Sequence, residues 1–321
     1  MALYLINGEK RLVDFQNDHS SLLSYPAFPG GRVRSFQSDS VKVLIKEIIS
    51  DLFAIRYKIF QFSEPQKVES VSDADGIHSR VMLQNDLHLS IDSIGELHQR
   101  EGTISLLTGQ VKSCMTTMEA KKEYRALDIY AGKDFVSQLA HFFPEIEFHT
   151  NSIRNLFPFP CFISPALHKV IDEILDCPYD ESTSHFYFDV KVREYFYLLL
   201  KECIATKKTK YRFTPYETER LVLAREILLS DLSKPPLTVR QLAKKAGINE
   251  FKLKVGFAQF FRTGVFECFQ RARMYRAKQI LLQTNKPIKD ICTLAGYPRM
   301  SNFITAFRHF FGRTPGSFRR N

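Results

Sequence analysis

Through about the first 160 residues the apolar positions follow the two-residue period of strands. Leu87, Leu89 and Ile91 alternate with His88, Ser90 and Asp92. The segments 52–62 (LFAIRYKIFQF), 103–107 (TISLL) and 126–130 (ALDIY) are rich in β-branched and aromatic residues. Between them, 63–76 (SEPQKVESVSDADG), Gln84-Asn85-Asp86 and Leu107-Thr108-Gly109 read as turns, spaced as in an antiparallel meander, barrel or sandwich. The period then changes. Phe135, Leu139 and Phe142 step by four and three, which predicts a helix over 132–143. Longer helices are predicted over 164–176 and 189–205. In the second of these Phe188, Val192, Tyr195, Phe196, Leu199 and Cys203 form one stripe, widened by Tyr197, Leu198 and Leu200. A stripe of that width fits burial on two sides, against the β-domain and a second subunit, or a thick core in a monomer.

Beyond residue 215 the pattern is wholly helical. A helix over 216–230 precedes the Pro235-Pro236 break. Thr238 and Gln241 then have the spacing of a capping box, and Gly247 that of a left-handed helix terminator. A further helix is predicted over 250–261, with Leu253, Phe257 and Phe260 on one face. A long helix follows from Val265 to Leu282. Its Phe266, Phe269, Met274, Ala277, Ile280 and Leu281 fall within an arc of about 140° at about 100° per residue. Arg273 lies inside that arc, so its stem is expected to be buried and its head partnered.

Length and composition set bounds on this reading. The chain has 321 residues, 44% hydrophobic and 25% charged, enough for two domains that each bury a core without staples. The longest apolar run, Tyr195 to Leu200, is far short of the ~18 residues of a membrane helix, and the opening residues lack a secretory signal. A cytoplasmic protein is expected. Its six cysteines follow no disulfide or zinc spacing. Charge is segregated: residues 1–209 carry 23 Lys and Arg against 28 Asp and Glu, whereas residues 210–321 carry 22 against 7. A small domain with a net charge of +15 calls for a polyanion, and nucleic acid is the usual one.

Helix, glycine turn, helix over 238–261, with Lys252 and Lys254 outside the apolar stripe, is the pattern of a helix-turn-helix DNA reader. It occurs twice. Leu242-Ala243, Gly247, Leu253 and Phe257 recur as Ile291-Cys292, Gly296, Phe303 and Phe307, displaced by 49 or 50 positions. Eighteen residues of the intervening helix at ~1.5 Å each give a strut of about 27 Å. With its flanking turns, such a strut can separate two reading helices by roughly one DNA turn, ~34 Å.

Residues 217–321 resemble the DNA-binding domain of the AraC family of bacterial transcription regulators. The most specific stretch comprises Arg276-Ala277-Lys278-Gln279-Ile280-Leu281-Leu282, Ile288-Lys289-Asp290-Ile291-Cys292, Ala295-Gly296-Tyr297, Phe303, Phe307, Arg308 and Phe311-Gly312-Arg313-Thr314-Pro315. The first unit, from Leu223-Ala224-Arg225-Glu226-Ile227-Leu228-Leu229 through Gly256-Phe257 to Val265-Phe266, resembles the siderophore-responsive branch. Two positions depart from the family pattern: Arg262 stands where a glycine usually follows the reading helix, and Pro298 replaces a small polar cap. The resemblance implies that exposed reading-helix residues touch DNA. Here these are Phe251, Lys254 and Val255, then Ser301, Asn302, Ile304 and Thr305, with Lys252 and Arg308 beside them where phosphates should run.

The resemblance also implies a cupin-like effector-binding or dimerising domain, with promoter DNA and RNA polymerase as partners. The expected fold is therefore α+β. An antiparallel β-barrel or cupin-like domain with a helical pair (164–205) spans 1–205, a basic linker spans 206–216, and an all-α double helix-turn-helix domain spans 217–321. A homodimer and a small-molecule effector are expected, and no cofactor, metal or membrane. The competing reading is a metal-dependent cupin-like enzyme fused to a DNA-binding module; a third is a basic helical module that binds a protein. His78, His88 and His98 invite the enzyme reading, but they are ten residues apart without a His-x-His pair. No phosphate loop, nucleophile elbow or Cys/His arrangement accompanies them.

Overall fold

The computed structural model describes residues 2–7, 9–17, 28–71, 75–92, 94–148, 153–157, 161–207 and 211–319. The chain divides into two compact units, Met1–Lys208 and Thr209–Asn321. Of the expected linker, residues 208–210 lie outside the described residues.

The first unit begins with the strands β1 (Ala2–Asn7), β2 (Glu9–Leu12), β3 (Gln16–Asn17), β4 (Arg32–Gln37), β5 (Val41–Ile49), β6 (Phe53–Phe62) and β7 (Gln66–Val71). There follow β8 (Asp75–Gln84), β9 (Leu87–Ile91), β10 (Gly95–Gln99), β11 (Thr103–Gln110), β12 (Ser113–Met118) and β13 (Glu123–Gly132). Helix α1 (Lys133–Phe142), β14 (Arg154–Asn155), β15 (Cys161–Phe162), α2 (Pro165–Leu175) and α3 (Glu181–Lys207) complete it. One sheet has the order β10-β9-β12-β7-β1-β2. The larger has the order β14-β11-β8-β13-β6-β5-β4-β3, with β15 also on β11. Among the described residues no strand pair closes either sheet on itself, so the expected barrel is an open sandwich.

The reason lies in burial on both faces of the long strands. One face of the larger sheet packs Ile55, Tyr57, Ile77, Val81, Leu127 and Ile129 against α1, α2 and α3. The other packs Val43, Ile45, Phe60, Met82 and Ala126 against Val68, Leu87, Leu89, Ile91 and Cys114 of the smaller sheet. This gives three layers in the order helices, large sheet, small sheet. The α3 stripe is the centre of the helical layer: Phe188, Val192, Tyr195, Phe196 and Leu199 are fully buried, each contributing about 1.5–3 kcal/mol by leaving water. The Tyr195 hydroxyl is satisfied at 2.7 Å from Ser79 Oγ.

Several expectations are corrected here. The stretch 63–76 contains a strand, β7, whose polar composition comes from its outward residues Lys67 and Glu69, while Gln66 and Val68 turn inward and are buried. Leu107-Thr108-Gly109 lies within β11, where Gly109 is paired with Gly76. Phe142 is exposed and Phe143 takes the core position. Helix α3 begins at Glu181, eight residues before the predicted start at 189, because Asp180 Oδ1 accepts from Thr183 N at 3.2 Å and from two hydroxyls. Leu198 is half-buried against the core. The outward apolar side chains of α3 are Phe186, Val190 and Tyr197.

The second unit comprises α4 (Pro215–Leu229), α5 (Val239–Ala246), α6 (Glu250–Phe260), α7 (Val265–Gln283), α8 (Ile288–Leu294), α9 (Met300–Phe311) and α10 (Pro315–Arg319). Helix α7 packs on α4 at one side and on α8, α9 and α10 at the other. Burial along it is therefore not one continuous arc. Phe266 is 63% exposed, whereas Met274, Ala277 and Leu281 join Ile291, Cys292, Phe303 and Phe307 in the core of the second half. Among the described residues no helix is long and apolar enough to cross a membrane.

Candidate nucleic-acid interface

Each helix of the α5–α6 unit starts on a side-chain cap. Thr238 and Gln241 form the expected reciprocal box, with Gln241 N to Thr238 Oγ1 at 3.2 Å and Thr238 N to Gln241 Oε1 at 3.0 Å. Gly247 ends α5 at φ 69°, and Asn249 caps α6 by accepting from Lys252 N at 2.7 Å. These local bonds set the angle at which α6 leaves the turn. Leu253, Gly256 and Phe257 face inward. A Cβ at Gly256 would lie 2.3 Å from the Leu221 side chain, so the glycine lets α6 approach α4 closely.

Burial of that face fixes what α6 shows to solvent. Phe251 is 65% exposed and Lys254 is exposed, with Val255 half-buried beside them. Lys252 does not stand free: its ammonium pairs with the carboxylate of Glu217, the capping-box residue of α4. The mutual hydrogen bond holds the Glu217 carboxyl below its ordinary value and the Lys252 ammonium above its own. Residues Tyr211 and Phe213 lie along the same helix. Gln259 Nε2 donates to Tyr211 O at 3.0 Å, the Phe213 ring sits 5.3 Å from Phe260, and the Tyr211 ring 6.3 Å from Phe251.

The second unit repeats the plan with different caps. Gly296 takes φ 74°, as Gly247 does, but α9 begins at Met300 from Arg299 without a side-chain cap, Pro298 having displaced the polar residue. Phe303 and Phe307 are fully buried. Ser301, Asn302, Thr305 and Arg308 are exposed along one side of α9, and Ile304 is half-buried at its edge. Arg262 adopts φ 52°, the left-handed conformation for which a glycine is the ordinary choice. Gly264 instead becomes the N-cap of α7.

Arg273 joins the two halves. Its Nε donates to Leu232 O at 2.9 Å and its Nη2 to Lys234 O at 2.7 Å, with the guanidinium between the rings of Phe269 (4.5 Å) and Tyr297 (5.6 Å). The expected buried stem and partnered head are both present. Sequence counting missed Lys244 and Lys245, exposed in the last turn of α5, and Arg299 and Met300, exposed at the N-terminus of α9. Alignment on Phe303 starts at Ser301, immediately after the latter pair. The leading end of a reading helix is the part that meets base edges.

The histidines of the enzyme reading do not assemble. His78 lies on β8 beside Asp128 (3.4 Å), while His88 stacks on His98 at 4.3 Å in the other sheet. Among the described residues no group of three or more His, Cys, Asp or Glu is placed to hold a metal.

A basic unit in which two helix-turn-helix repeats hang on one long helix defines a helix-turn-helix DNA-binding transcription regulator. Comparison with known proteins agrees. The Helix-turn-helix domain family matches residues 242–321, and the Regulatory protein PchR N-terminal domain family matches residues 47–211, just over half of the chain. The chain belongs to the AraC family of transcription regulators, in the group that carries the PchR-type N-terminal domain.

Among its relatives, the HTH-type transcriptional regulator ArgR of Pseudomonas aeruginosa is 31% identical over 94 residues, 29% of each chain. The regulatory protein PchR of the same organism is 37% identical over 70 residues, 22% of this chain and 23% of its own length. SoxS of Salmonella typhimurium is 32% identical over 84 residues, 26% of this chain and 78% of SoxS. The matched segment thus spans less than a third of ArgR and of PchR. Of solved structures, the C-terminal domain of AraT from Geobacillus stearothermophilus aligns over 34% of this chain and 88% of its own, at 26% identity and TM-score 0.30. ToxT from Vibrio cholerae aligns over 84% and 98%, at 11% identity and TM-score 0.34.

Proposed function

We propose that this chain regulates transcription by seating α6 and α9 in two successive major-groove segments of a promoter, under control of a small effector held by the cupin-like first unit. The observation that carries the reading is the duplication itself. Two helices, each fixed by a buried apolar face, present Phe251 and Lys254 on one and Ser301, Asn302, Thr305 and Arg308 on the other. Lys254 has the chemistry to donate to guanine. Ser301, Asn302 and Thr305 can exchange hydrogen bonds with base edges, and Phe251, Val255 and Ile304 can meet thymine methyl groups. Arg308 suits a phosphate, and Lys252 holds α6 against α4. Helix α7, 19 residues long, gives a strut of about 28 Å between the two readers.

Self-association belongs to the same proposal. Phe186, Val190 and Tyr197 lie on one side of α3 at helical spacing and are exposed, which fits a second copy of this chain. RNA polymerase is the partner that promoter control requires.

The test is a footprint on the protein's own selected site. Two protected segments about 10 base pairs apart on one face are expected. Inserting half a turn between them should abolish joint protection, since a packed helix neither stretches nor rotates, and Lys254→Ala should relax base preference in one segment only. Undiminished joint protection on the half-turn target would refute the rigid spacing.

A further inference from the structure

Before α4 the chain runs along one flank of α6. Tyr211 O accepts from Gln259 Nε2 at 3.0 Å, the Tyr211 ring lies 6.3 Å from that of Phe251, and the Phe213 ring lies 5.3 Å from that of Phe260. The Lys252 ammonium, which Glu217 holds above its ordinary value, is hydrogen-bonded to Tyr211 as well. Segment 211–213 is thus fastened to α6 at both of its ends. Arg212 stands between the two fastened residues. Tyr211 and Phe213 are half-buried, whereas Arg212 is exposed, and among the described residues it has neither an ion pair nor a hydrogen bond. The neighbouring carboxylate of Glu217 is already engaged by Lys252 and by Thr214 N.

Helical geometry says what this flank faces. At about 100° per residue, Lys252 and Gln259 stand about 100° and 120° from the inward Leu253, on the same side, while Phe251 and Val255 stand about 160° from it, on the outward face. An α-helix with its side chains is about 10–12 Å across, and the major groove of B-DNA is about 12 Å wide. A helix seated there fills the groove, so its outward residues meet base edges and its flanks meet the phosphates of the two strands. Segment 211–213 lies on the flank marked by Lys252 and Gln259, and Arg212 brings an uncommitted guanidinium to it. That group matches a phosphate through two parallel N–H donors.

We propose that segment 211–213 is a DNA-contacting element of the first reader, in which Arg212 receives a backbone phosphate of duplex DNA at the flank of α6. The proposal rests on the reading of α6 as a major-groove helix and adds a contact outside both helix-turn-helix repeats. Arg212 is a positioning residue. A phosphate carries no base identity, so the contact sets where α6 sits and leaves base preference to Phe251 and Lys254.

The experiment measures binding of the full-length protein by fluorescence anisotropy to its own selected site and to a random duplex of equal length, each across a range of sodium chloride concentrations. One phosphate contact contributes about 0.9 to the slope of log affinity against log salt, which at ~0.15 M is about a 5-fold change in affinity. Arg212→Gln should therefore make the slope shallower by about 0.9 and weaken both duplexes about 5-fold at that salt. Arg212→Lys should retain the slope, and Lys169→Gln, which removes the same charge from α2, should leave it unchanged. Gln259→Ala releases the Tyr211 carbonyl and should reproduce the loss, and the double variant with Arg212→Gln should add nothing to it. An unchanged slope in Arg212→Gln, a loss confined to the selected site, or additive losses in the double variant overturns the proposal. Failure of the wild type to protect two segments in the footprint removes the reading of α6 itself, whereas wild-type protection with an unchanged slope in Arg212→Gln removes the phosphate contact alone.

Discussion

Replacing Gly296 by alanine tests whether the joint around Arg273 holds the second reader in place, and Gly312→Ala supplies the control. The two glycines share a backbone conformation, φ 74° and 76°. The left-handed strain imposed by a Cβ, about 1–2 kcal/mol, is therefore common to both. Their surroundings differ. A Cβ at Gly312 meets nothing within 4 Å, whereas one at Gly296 would lie 2.5 Å from Leu232 O and 2.8 Å from Ser233 O, which are backbone atoms, and 2.5 Å from Arg273 Nη2. Relief requires the 232–234 loop to move by several tenths of an ångström, adding about 1–3 kcal/mol of overpacking. It also stretches the two hydrogen bonds from Arg273, each worth about 1.5–3 kcal/mol for a charged donor. Gly296→Ala should therefore cost about 4 kcal/mol and Gly312→Ala about 1. At roughly 4 °C per kcal/mol for a unit of this size, the midpoints should fall by about 15 °C and 5 °C. Thermal unfolding followed by circular dichroism at 222 nm, where the helical unit dominates, reads both. Equal shifts would show that the loop yields freely and that Arg273 does not lock the joint.

Two further outcomes are expected. Lys252→Ala and Glu217→Gln should weaken DNA binding to the same extent and the double variant should add nothing, because each removes the same tie between α6 and α4; additive losses in a binding titration would place Lys252 on the DNA instead. Phe186→Glu on α3 should yield monomers that bind single sites normally and paired sites weakly, and wild-type protein sedimenting as a monomer at tens of micromolar with and without DNA would refute that interface.

What the sequence discloses depends on how far apart the cooperating residues are. The Thr238–Gln241 box, the left-handed Gly247 and the buried Leu253 and Phe257 are all set within a few positions and were legible as such. The β7 strand was not, since its inward Gln66 and Val68 are outnumbered by outward polar neighbours. Nor was the choice between barrel and sandwich: a strand buried on both faces reads as an apolar run whether a helix or a sheet covers it. The ion pairs of Glu47 with Arg56 and of Asp128 with Arg80, across neighbouring strands of the larger sheet, have no local signal at all, because only strand register brings their members together. At the interface, helical periodicity located the exposed faces of α6 and α9. It left out Arg299 and Met300, whose position depends on where an uncapped helix starts, and it left Lys252 unpartnered because Glu217 is 35 residues away.

The strap formed by Tyr211 and Phe213 makes the two readers mechanically unequal. Tension entering the second unit along the chain arrives first at Tyr211, whose carbonyl is held by Gln259 and whose ring neighbours Phe251, both on α6. Helix α9 meets the rest of the unit through α7, α8 and α10. The entry of the second unit is thus fastened to α6, so a change in the course of the chain at Tyr211 bears on that helix before it bears on α9.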